Sequence, residues 1–87
     1  MSQKQRWHQI DQLRKKRDFT HVETIKKEVT DDNPMVRESA WDYLREAKYF
    51  TGELVSQARL EVDLAKCPSR CSKAAAQDYI SASEEKL

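Results

Sequence analysis

Cys67 and Cys71, four apart in Cys67-Pro68-Ser69-Arg70-Cys71, are the only cysteines in the chain, and His8 and His21 are its only histidines. Two neighbouring thiolates could begin a metal site. A structural zinc, however, takes four ligands at recognisable spacing, and both imidazoles are far off in sequence. The cysteines therefore read as free thiols beside a loop, with a disulfide between them as the alternative, and the histidines as solvated residues on polar faces. Asp31 and Asp32 form a close carboxylate pair, but acids at a helix start are what the positive end of a helix dipole attracts. No Gly-rich phosphate loop, nucleophile elbow or His-Glu-x-x-His stretch occurs. The expectation is a binding protein with no metal and no cofactor, not an enzyme.

Contact chemistry is better represented. Arg37, Trp41 and Arg45 recur every four residues with Lys48 adjoining, a basic stripe that holds a tryptophan. Glu38, Asp42 and Glu46 form an acidic stripe beside it. Trp41 lies off the apolar face, so it is either covered by a neighbouring helix or exposed as an anchor flanked by arginines, a composition enriched at binding hot spots. The reading takes Arg37, Trp41, Arg45 and Lys48 as contact residues that would give an acidic protein partner charge-assisted hydrogen bonds. The run Arg14-Lys15-Lys16-Arg17 reads first as cations at the negative end of a helix dipole. Its alternative is a phosphate-contacting nucleic-acid patch, against which no Gly or aromatic residue interleaves with the charges.

These residues need helices to position them. Asn33 is a good N-cap, Pro34 suits the first helical position, and Val36, Ala40, Tyr43, Leu44 and Ala47 then recur at helical spacing, predicting a helix over about 34–49. Before it, Trp7, Ile10 and Leu13 give a narrow stripe over 3–17. Thr20 and Glu23 read as a capping box opening a short second helix with Val22, Ile25 and Val29 inside. About four residues separate that helix from the central one, so the pair should fold back as a hairpin. Residues 51–66 are ambiguous. As a helix capped by Thr51 they put Leu54, Val55, Ala58, Val62 and Ala65 on one face, whereas Ala58 to Leu64 also alternates as a strand would. Length and the lack of turn residues favour helix. Leu60 and Leu64 then stand off the core face, to be covered by the tail, a partner protein or a second copy of the chain. Pro68 should end this helix. A last one is expected over Ala74–Ile80, with 81–87 as a frayed tail. The fold expected is all-α, a small bundle of four to five helices around a central hairpin, forming one domain over residues 1–80.

Composition agrees. In 87 residues, 36% are charged and a single Gly leaves few places for tight hairpins, which argues against many short strands. The net charge of +1 supplies no global field for nucleic acid or an anionic membrane. Its distribution is uneven: residues 1–29 carry eight Lys/Arg against four Asp/Glu, and residues 30–66 five against eight. No apolar h-region follows Lys4 and Arg6 and no run approaches membrane-spanning length, so the expected location is the cytosol of a bacterium or a virus-infected cell.

Residues 21–45 are similar to one unit of the HEAT-repeat family. There, an apolar-faced helix (Val22, Ile25, Val29) is followed by an Asp-rich turn with Pro (Asp31 to Pro34) and by Val-Arg-x-x-Ala-x-x-x-Leu (Val36, Arg37, Ala40, Leu44). No second copy is evident, so the resemblance implies a hairpin packed by flanking helices and not a solenoid. Members of that family usually bind other proteins and occasionally nucleic acid. The same stretch also resembles the helix-turn-helix of winged bacterial regulators. Residues 25–29 would be the first helix, 35–40 would open the recognition helix, and 51–64 would make the wing. That likeness implies DNA binding, which ranks second because Asp31 and Asp32 would face the phosphates.

Overall fold

The computed structural model describes residues 3–64 and 72–86. Cys67 and Cys71, and with them the questions of pairing and zinc, lie outside the described residues. The elements are α1 (Gln3–Lys15), α2 (Val22–Ile25), a 3-10 helix (Lys26–Thr30), α3 (Pro34–Glu46), α4 (Gly52–Leu64) and α5 (Ser72–Lys86). Among the described residues there is no strand. The all-α expectation holds.

α3 is the element the others cover. The Asn33 side chain accepts from the Met35 backbone N–H at 2.9 Å, and Pro34 follows at the first helical position. Val36, Ala40, Trp41, Tyr43 and Leu44 are all fully buried. The helix stops at Glu46, earlier than the expected 49, because Lys48 turns left-handed at φ 58°. Tyr49 N–H then donates to the Leu44 carbonyl and Lys48 N–H to that of Arg45, closing the end in a Schellman arrangement. α1 ends in the same way at Arg17, φ 59°.

Side-chain ties fix the directions. Arg6 pairs with Asp31, and Arg14 pairs with Glu46 at 3.0 Å, so α1 runs parallel to α3. The return leg is α2 with the 3-10 helix. There, the Tyr43 hydroxyl accepts from His21 N–H at 3.1 Å and donates to the Asp18 carbonyl at 2.6 Å. That makes the expected antiparallel hairpin with α3. α5 lies along α3 with the Tyr79 ring 5.0 Å from that of Trp41, and Phe50 packs on the same Tyr79 ring at 5.2 Å. α4 packs on α5.

Two local expectations change, and the strand alternative for residues 51–64 falls. The Thr20–Glu23 capping box is not formed. Thr20 turns its hydroxyl (2.6 Å) and N–H (3.3 Å) to the Asp18 carboxylate, which holds that carboxyl below its usual range. Glu23 instead pairs with Lys26 at 2.7 Å and accepts from the Tyr49 hydroxyl at 2.9 Å. Residues 52–64 are helical, with Thr51 Oγ1 accepting from Leu54 N–H at 3.1 Å, so a wing over 51–64 is excluded. Leu54 and Ala58 are buried as the helical reading required. Finally, the stretch expected to fray continues α5 to Lys86, with Ser83 buried and its hydroxyl donating to the Ile80 carbonyl at 2.7 Å.

Three of the buried aromatic side chains can be tested directly. Trp41→Ala should cost about 3–5 kcal/mol in urea unfolding, as truncation of a large buried aromatic does. Tyr43→Phe should cost about 1–2 kcal/mol for its two lost bonds. Burial pushes the Tyr79 hydroxyl, which donates to the Tyr49 carbonyl at 2.7 Å, up to about 12. An unfolded tyrosine titrates near 10, so the folded state binds the proton more tightly. Tyr79's contribution is therefore complete below about pH 10 and disappears as pH rises from about 10 to 12. Stability measured across that window should decline less steeply in Tyr79→Phe.

Candidate functional site

The six residues expected to make contacts separate into four groups. Trp41 belongs to the core: its indole is fully buried against Tyr79, and it cannot serve as an exposed anchor. α5 is the neighbouring helix that covers it. The indole N–H has no hydrogen-bond partner among the described residues.

Arg37 is a structural tie. Its Nε donates to Glu61 at 2.6 Å, and its terminal nitrogen donates to the carbonyls of Asp31 (2.7 Å) and Asp32 (3.0 Å). One guanidinium thus joins α3, α4 and the turn before α3. Glu61 keeps only 7% of its side chain exposed, so removing Arg37 strands a carboxylate at a largely dry position.

Arg45 and Lys48 lie at the end where α1, α3 and the last turns of α5 meet. With Arg17, Glu46, Phe50 and Glu85 they line an open hollow of about 460 Å³. Arg45 reaches Asp42 at 3.7 Å and Glu46 at 3.9 Å. Burial raises the Asp42 carboxyl above its usual range, and the Arg45 and Arg14 charges oppose that rise. Three parallel helices bring three negative dipole ends together here, where Glu46 and Glu85 add further negative charge. Cations at such a place stabilise the assembly. Arg14, Lys15, Lys16 and Arg17 occupy this end too. Arg14 is bound to Glu46, Arg17 lies over the Phe19 ring at 5.6 Å from its centroid, and Lys15 and Lys16 are exposed.

Leu60 and Leu64 are where the sequence put them, off the core face, and are 50% and 71% exposed. Beside them a trough runs along α4. It consists of two hollows, of about 420 and 500 Å³, that share Val29, Thr30 and Gln57. One wall is the 3-10 helix with Asp31 and Asp32, and the other is α4 from Thr51 to Leu64. The Arg37–Glu61 pair lies in its lining at the leucine end. Thirteen residues of α4 rise about 20 Å, so the trough is long enough for three to four turns of a second helix. Sequence reasoning missed the far wall. Asp31 and Asp32 were accounted for by the helix dipole, and nothing in the spacing showed that α4 would pass alongside them.

Among the described residues, no group of three or more His, Cys, Asp or Glu side chains could hold a metal ion. Among the described residues, no helix is long and apolar enough to cross a membrane. Arg37→Met should cost about 2–4 kcal/mol in urea unfolding by stranding the Glu61 carboxylate, whereas Arg37→Met with Glu61→Leu should recover most of that loss. Equal losses in the single and double variants would contradict the tie. The chain matches no protein-family model, no curated protein and no solved structure.

Proposed function

We propose that this protein is a non-enzymatic binding module of the cytosol, an adaptor or inhibitor that engages another protein through the outer face of α4. The observation that carries the reading is the pair Leu60 and Leu64, one turn apart and 50% and 71% exposed along an open trough. Single exposed leucines are ordinary on protein surfaces, but two in register at the rim of a hollow form a continuous apolar ridge. The HEAT-like hairpin is consistent with this reading, since that family usually binds proteins. With Trp41 in the core and Arg37 tied to Glu61, the recognition chemistry shifts from a tryptophan between arginines to a leucine ridge beside acids.

A second reading keeps nucleic acid as the partner, through Arg14, Lys15, Lys16 and Arg17. It is favoured by one observation: Lys15 and Lys16 are exposed and have no acidic partner among the described residues. Helix-dipole compensation accounts for the same cations without a ligand, so protein binding ranks first.

The test pairs affinity capture from the source cells with a fold control. Leu60→Glu combined with Leu64→Glu should abolish recovery of the partner while shifting the melting temperature by less than about 3 °C, because both positions are exposed. Equal recovery by wild type and double variant would overturn the reading. A salt-dependent shift of duplex DNA, lost on reversal of Lys15 and Lys16, would promote the second one.

A further inference from the structure

We infer that the occupant of the α4 trough is a basic amphipathic helix of another protein, its apolar ridge seated against Leu60 and Leu64 and its Lys or Arg residues facing Asp32. This rests on the reading of α4 as the partner-binding face and adds the chemistry of the partner. Shape gives the first argument. α4 packs on α5, leaving its flank toward the 3-10 helix as the wall of a trough that extends from Thr51 to Leu64. A ridge of residues four apart beside such a groove is the surface on which an amphipathic helix packs, ridge into groove.

Charge gives the second argument and chooses the sign. Among the described residues, the lining of the leucine end and its ion-pair partners hold four carboxylates, Glu28, Asp31, Asp32 and Glu61, and two cations, Arg6 and Arg37, while the exposed Arg59 and Asp63 of α4 carry opposite charges. Both cations are already engaged. Arg6 pairs with Asp31 and, at 3.5 Å, with Glu28. Arg37 pairs with Glu61 at 2.6 Å and binds the carbonyls of Asp31 and Asp32. Asp32 is left exposed, with no cationic partner among the described residues. At the opposite end the balance is neutral: Lys26 is held by Glu23 at 2.7 Å, and Lys27 and Glu53 carry opposite charges around the same hollow. The electrostatic preference is therefore concentrated beside the leucines, where an incoming cation gains and an incoming carboxylate meets like charge.

The test is a display selection on the full-length chain. The library consists of helical peptides of about four turns with a fixed leucine ridge and with flanking positions randomised among Lys, Arg, Glu and Gln. Selected peptides should be enriched in Lys and Arg and should lose binding to Leu60→Glu. They should also weaken about tenfold on Asp32→Lys, and selection on that variant should turn toward Glu. Peptides that depend on Leu60 but show no basic preference would overturn the inference and leave the α4 reading standing. If no peptide is enriched, or only peptides indifferent to Leu60→Glu, the trough is not a helix site. The α4 reading itself fails only if capture of the cellular partner is also indifferent to the leucine substitutions.

Discussion

Packing of the Trp41 indole on the Tyr79 ring is the contact from which the arrangement of the other helices follows. A residue of that size on a flank of α3 that otherwise holds Arg37 and Arg45 must find a cover, and α5 supplies it with the Tyr79 ring, buried alongside Ala75, Ala76 and Ile80 of the same helix. Once α5 lies along α3, α4 packs on α5 and its other flank faces the 3-10 helix across a trough. At the leucine end, the Arg37–Glu61 pair ties α3 to α4 within the trough's lining. The open face of the molecule is thus a consequence of how its core closes.

Parallel packing has an electrostatic cost that the sequence meets locally. α1, α3 and α5 point their negative ends the same way, and side-by-side dipoles in that arrangement repel. The cations of residues 14–17, Arg45 and Lys48 sit where those ends converge, and Arg14 crosses to Glu46. The left-handed residues that close α1 and α3 are themselves an arginine and a lysine, at positions where glycine would be less strained. Each accepts that conformation while placing its charge beside the helix ends it offsets. The charge asymmetry visible along the chain is in this view chiefly an internal arrangement, and the excess of acid beside Leu60 and Leu64 is the part directed outward.

Much of this was legible in the residues. Asn33 and Pro34 marked the start of α3, the Val36–Leu44 spacing marked its face, and Leu54 and Ala58 marked the inner side of α4, because capping and apolar periodicity are local properties. The outward position of Leu60 and Leu64 followed from the same periodicity. What failed was of another kind. Of the two readings of Trp41, cover by a neighbouring helix holds and the contact role fails, and periodicity within one helix carries no information about which second helix arrives, here α5, some forty residues later. The Thr20–Glu23 pattern lost to competing partners, Asp18 for one member and Lys26 with Tyr49 for the other. Residues 81–86 looked polar enough to fray, but the small side chains of Ala82 and Ser83 let that turn lie close to its neighbours.

On this reading the leucine ridge stands open in the isolated protein, ready for another molecule. Solvent paramagnetic relaxation of the leucine methyls, read by NMR with a soluble gadolinium chelate in dilute solution, addresses it directly. The methyls of Leu60 and Leu64 should be strongly broadened while those of the buried Leu44 and Leu54 are spared. Equal protection of all four leucines would show the ridge already covered by the chain itself or by a second copy, and would contradict the account.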